Sequence, residues 1–148
     1  MGTIYTQVMF SEFEQTVHDM VEKGEPLSAD VLNNLWLSLI KKYNGDAFTV
    51  DENSKYGWSR IPHFYMNFYV YKYATSMSAS FELVNNILEK QDGAVDKYLE
   101  FLAAGGSDYP VDILKKAGVD MNSSEPVDNI LEYFGELVDE MEKLLEKK

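Results

Sequence analysis

The stretch "IPHFYMNFYVYKYATS", from Ile61 to Ser76, decides how the chain is read. Six of its sixteen residues are Phe or Tyr, and it carries His63, one of only two histidines. Pro62 stands where a helix start tolerates proline. The pattern therefore predicts a long helix from about Phe64 to about Gln91, broken by Asp92-Gly93. The two halves of that helix differ. From Val70 onward, Val70, Tyr73, Met77, Phe81, Val84 and Leu88 form one docking stripe, with Ser78, Ser80, Glu82, Asn85 and Asn86 between them. In the first half, Phe64, Tyr65, Phe68, Tyr69, Tyr71 and Tyr73 would point in every direction at ~100° per residue. A helix end that is apolar all round is buried all round, by the rest of the chain or by something outside it. Each large aromatic can bury ~150–250 Å². Three or four left uncovered would match or exceed the ~300–600 Å² of the largest patch on an ordinary monomer. The stretch is either a Tyr-rich core or one wall of a site.

Working outward, the apolar spacing is helical almost throughout. Val8, Phe10, Phe13, Val17, Met20 and Val21 step by threes and fours, with Glu12, Glu14, Gln15 and Asp19 between them. Gly24 and Pro26 stop that helix. Ser28 is the expected N-cap of a second helix carrying Val31, Leu32, Leu35, Trp36, Leu39 and Ile40, ended by Asn44-Gly45-Asp46. Ala47 to Val50 reads as an extended loop and Ser54 to Ile61 as a short helix or turn. Beyond the long helix, Ala94 to Ala104 is helical and Gly105 to Asp108 is a loop. Pro110 opens a short helix that ends at Gly118. A last helix is capped by Ser123 or Ser124, with Lys147-Lys148 placed favourably for its dipole. The expectation is an all-α bundle of six or seven helices, one helical domain over 1–148, with no internal repeat.

Composition narrows the function. The net charge is −12 and the sequence pI is near 4.5, so the basic footprint of a nucleic-acid binder is missing, as is attraction to an anionic membrane surface. Nothing resembles a signal peptide or an apolar run of ~20 residues, which predicts a cytoplasmic protein. With no Cys, the chain has neither disulfides nor a thiolate zinc site, and its two His are only two of the three protein ligands that a catalytic zinc needs. HExxH, GxSxG, Walker A and GxGxxG are all absent. His18, beside Asp19, reads as a solvated helix histidine. His63 is the more interesting, although a single histidine in such a place is more often a hydrogen-bonded structural residue than a catalyst. In an unbroken helix Tyr71 would lie ~80° around and ~12 Å along from it, so the two could flank one bound molecule without touching. A Tyr hydroxyl and an imidazole can both donate to a developing oxyanion.

Three segments in order resemble the C-terminal part of oligoendopeptidase F, of the thimet oligopeptidase superfamily. They are "MFSEFEQTVHDMVEKGEPLS", the aromatic stretch itself, and "YLEFLAAGGSDYPVDILKKAGVDM". The resemblance runs from about Gln7 to the last helix. It implies an all-helical zinc peptidase that cleaves short peptides in a deep channel. The superfamily's zinc ligands, HExxH and a Glu on a following helix, precede the matched region, so no metal ligand and no general-base Glu carries over. What carries over by resemblance is the channel wall facing the zinc: His63 and Tyr71 as catalytic candidates, Tyr65 and Tyr69 as substrate-binding ones. The His-to-Tyr spacing is shorter than in the thimet branch, which leaves the choice among the tyrosines open. The implied partners are a short peptide and an N-terminal catalytic lobe outside this chain, with zinc in the complete enzyme. The competing expectation is a non-catalytic helical interaction module that dimerises through its aromatic face.

Overall fold

The computed structural model describes residues 1–146. Helices account for the ordered elements, and no strand occurs among the described residues. The order is α1 (Gly2–Glu22), α2 (Ala29–Asn44), two 3-10 helices (Glu52–Arg60 and Pro62–Met66), α3 (Tyr71–Leu88), α4 (Ala94–Ala104), α5 (Pro110–Lys116) and α6 (Glu125–Leu145). The all-α expectation holds. The dipole role expected of Lys147 and Lys148 lies outside the described residues.

Local signals explain most boundaries. The Ser28 hydroxyl accepts from the Val31 N–H at 3.3 Å, capping α2, and Asp30 and Lys41-Lys42 complement the two ends of its dipole. Pro110 and Pro126 occupy first turns, where a missing N–H costs nothing. Ser124 holds the N-cap position of α6 without a side-chain capping bond.

The long helix expected from Phe64 to Gln91 does not exist in that form. Residues 62–66 form a 3-10 turn, and Asn67 and Phe68 both take left-handed backbone, with φ of 45° and 53°. The α-helix begins only at Tyr71. Two consecutive non-glycine residues at positive φ cannot belong to a right-handed helix. The all-round aromatic face was a consequence of assuming that helix.

The chain divides into two compact units, with the boundary between Ala74 and Thr75 inside α3. In the first unit, Met9 and Phe13 of α1 pack with Trp36 and Leu39 of α2, and Phe10, Trp58 and Phe64 lie against them. The rings interlock: Phe13 meets Trp36 edge-on at 5.1 Å, and Phe64 sits 5.2 Å from Phe13 and 6.1 Å from Trp36. Such pairs add ~0.5–1.5 kcal/mol each beyond burial. Trp58 donates its indole N–H to the buried Asn33 at 2.9 Å, fixing the first 3-10 helix on α2. Gly57 comes so close to Trp36 that a Cβ there would lie 2.8 Å from the indole Nε1.

In the second unit, Ala79 and Leu83 of α3 pack with Ala117 and Val119, with Tyr98, Phe101, Leu114 and Met121 around them. The predicted docking stripe is corrected here. Met77, Val84 and Leu88 are exposed, Leu88 by 73%, whereas Ser78, Ala79, Leu83 and Asn86 are buried. Ser78 and Ala79, with Leu83, form the buried face instead, Ala79 and Leu83 packing on Ala117 and Val119. On α6 only Pro126 and Ile130 are buried, while Leu131, Leu137, Met141, Leu144 and Leu145 are exposed. No helix among the described residues is long and apolar enough to cross a membrane.

Candidate functional site

The left-handed turn at Asn67-Phe68 places the aromatic side chains of the first unit. In an unbroken helix His63 and Tyr69 would be ~120° apart around the axis. The turn brings their rings to 5.7 Å, and Tyr73, at the start of α3, comes within 6.1 Å of His63 and 5.7 Å of Tyr69. The Tyr73 hydroxyl lies 3.5 Å from His63 Nε2, at the long limit of a hydrogen bond, and the imidazole tautomer sets which of the two donates. A hydrogen bond with Tyr69 raises the pKa of the Tyr73 hydroxyl, with burial and the Tyr69 charge adding to it. Lys72 Nζ stands 5.1 Å over the Tyr69 ring. The result is a partly solvent-facing trio of one imidazole and two phenols.

The four residues singled out from the sequence meet different fates. His63 and Tyr69 are half-buried and belong to the trio. Tyr71 is 49% exposed on the first turn of α3, and Tyr65 is 87% exposed on the preceding 3-10 helix. Tyr73, which sequence reasoning gave to the docking stripe, is the tyrosine whose hydroxyl meets His63. No sequence signal marked it, because its position depends on a turn that lacks glycine.

Two polar residues of α1, among them His18, which reads as solvated in the sequence, pack against Phe68. Glu14 is 4% exposed, and its Oε1 accepts the Phe68 N–H at 2.7 Å. His18, one turn on, is half-buried and lies tilted against the Phe68 ring, centroids 4.5 Å apart. Phe68 itself is 42% exposed, as are Met66 and Tyr73 to similar degrees.

A separate cavity of about 570 Å³ opens on the first unit, lined by Met9, Phe10, Trp36, Ile40, Gly57, Arg60 and Ile61 among others. His63, Tyr69 and Tyr73 do not line it; its polar lining is Asp51, Asn53, Ser54, Tyr56 and Arg60. The trio brings an imidazole and two phenols into mutual contact, and on that ground it is the better candidate. Among the described residues no group of three or more His, Cys, Asp or Glu side chains could hold a metal ion.

The chain is similar to known peptidases. The model of peptidase family M3 matches residues 1–133. Oligopeptidase PepF of Bacillus subtilis is 51% identical over 146 residues, a span of 99% of this chain and 22% of that protein. The plasmid-encoded oligoendopeptidase F of Lactococcus lactis subsp. cremoris is 42% identical over 146 residues, 99% of this chain and 24% of that one. The crystal structure of oligoendopeptidase-F from Enterococcus faecium superposes with a TM-score of 0.96 at 41% identity, covering 99% of this chain and 28% of that chain. The chain thus spans about a quarter of the length of the relatives it matches.

Proposed function

The chain belongs to peptidase family M3, and from that premise we propose that it is the C-terminal helical portion of an oligoendopeptidase F-like zinc metallopeptidase. In this reading residues 1–148 act as one helical domain of a larger cytoplasmic enzyme. They supply a wall of the channel in which short peptides are hydrolysed. The observation that carries the reading is the His63–Tyr69–Tyr73 trio, held on a packed aromatic core with Tyr65 and Tyr71 exposed beside it.

The chain's own residues do not fit a zinc centre, because the described residues gather no group of three ligating side chains. No step is therefore assigned to a metal held here. What these residues offer is hydrogen bonding and shape. His63 and Tyr71 donate to the carbonyl oxygen of the scissile peptide as negative charge develops on it. Tyr65 and Tyr69 present flat amphipathic faces to the peptide on either side. The exposed apolar side chains of α6 supply surface for the N-terminal catalytic lobe.

The test is a zinc titration by calorimetry on the purified chain together with a quenched-fluorescence peptide assay. The reading expects no tight zinc site and no turnover. Turnover that survives purification and needs only this chain would overturn it. The exposed apolar face of α6 also favours a second reading, a helical module that self-associates. Sedimentation at several concentrations separates the two, because the second requires a dimer.

A further inference from the structure

The backbone between His63 and Tyr69 is costly, and something must hold it. Asn67, at φ 45° and ψ 100°, lies outside the left-handed well that Asn tolerates, and Phe68, at φ 53°, is a bulky residue at positive φ. Such conformations persist only where the surroundings over-determine them. Here two residues of α1 do so. Glu14 accepts the Phe68 N–H at 2.7 Å, and His18, four residues on along the same helix face, covers the Phe68 ring at 4.5 Å. A carboxylate only 4% exposed is expensive to bury, and the Phe68 N–H is the partner the structure gives it. A glutamate placed only for solubility would not sit there.

We infer that Glu14 is a positioning residue: by gripping the Phe68 amide it holds the left-handed Asn67-Phe68 turn and so brings Tyr69 and Tyr73 onto His63. Its meaning for peptide cleavage rests on the function proposed above, whereas the positioning itself does not. The grip is local and directional. It needs an acceptor oxygen at the end of a four-atom side chain on α1, which Gln retains and Ala does not. It also opposes backbone strain, which glycine at position 67 would relieve.

The experiment uses the purified chain and its variants Glu14→Gln, Glu14→Ala and Glu14→Ala/Asn67→Gly. Nuclear Overhauser contacts between the His63, Tyr69 and Tyr73 rings report the trio, and hydrogen exchange of the Phe68 amide reports the grip. Glu14→Gln should keep the ring contacts and the protection. Glu14→Ala should lose the contacts and exchange the Phe68 amide faster by about tenfold or more, the effect of losing one hydrogen bond. The double variant should regain the contacts but not the protection. A folded Glu14→Ala chain with its ring contacts intact overturns the inference. Should Glu14→Ala not fold, Glu14→Gln decides: contacts and protection retained support the inference, and loss of either overturns it. No substrate enters these measurements, so their failure leaves the proposed function standing. Failure of His63 to matter for peptide cleavage would leave the positioning standing.

Discussion

Replacing Gly57 by alanine probes the packing around Trp36, on which Phe64, the chain neighbour of His63, rests. The new methyl would lie 2.8 Å from Trp36 Nε1, 3.4 Å from Cε2 and 3.7 Å from Cζ2. The first distance is shorter than any real carbon contact, so the indole must move. It is 4% exposed, with Phe10 at 5.3 Å, Phe13 at 5.1 Å and Phe64 at 6.1 Å around it. The cavity beside Trp36 and Gly57 gives it some room. The cost therefore falls in the lower part of the ~1–3 kcal/mol typical of overpacking. With a urea slope of ~1 kcal/mol/M for a unit of this size, the midpoint should fall by ~1–2 M. Both tryptophans lie in the first unit, so indole emission during urea unfolding reports that unit directly. A midpoint equal to that of the parent chain would refute the claim that Gly57 is required by the close approach to Trp36.

Two further outcomes follow from the links between α1 and α2. Glu12 accepts from Lys42 at 2.6 Å and from the Tyr43 hydroxyl at 2.8 Å; the Lys42 bond first, and the Tyr43 bond second, hold its carboxyl below the ordinary range. A lowered carboxyl stabilises the fold above its ordinary pKa, and that contribution is lost as pH falls through the lowered one, so Glu12→Gln should flatten the acid limb of a stability–pH profile. Burial first, and Glu12 second, push the Tyr43 hydroxyl up to about 12. That contribution is present below the ordinary tyrosine pKa and lost as pH rises toward about 12, and Tyr43→Phe should remove one late component from an ultraviolet alkaline titration. Ser28→Ala should cost ~0.5–2 kcal/mol by removing the cap on Val31, read in the same urea experiment.

Much of the fold was legible because its punctuation is local. Ser28, Gly45, Pro110 and the Ala94–Ala104 segment were placed by capping and breaker chemistry that acts within a few residues. The aromatic stretch was misread as helix because its break carries neither glycine nor proline. The turn at Asn67-Phe68 is set by Glu14, more than fifty positions away in sequence, and periodicity cannot see such a partner. The same blindness hid Tyr73 at His63, left the role of Glu14 unseen, turned His18 into a solvated residue, and favoured the stripe through Met77 and Leu88 over the small buried face at Ser78 and Ala79. Of the candidate site, His63 and Tyr69 were found from residue chemistry and resemblance. Their geometry was not, because it depends on tertiary contacts.

The central claim is that this chain provides transition-state hydrogen bonds to a peptidase completed elsewhere. The most direct measurement replaces the matching segment of the Bacillus subtilis relative, 51% identical over 146 residues, with this chain and follows cleavage of a quenched peptide. The account predicts an active chimera in which His63→Ala lowers kcat by ~10²–10³-fold, as for other lost oxyanion donors, with KM changed far less. An active chimera whose kcat is indifferent to His63→Ala and to Tyr71→Phe would contradict it.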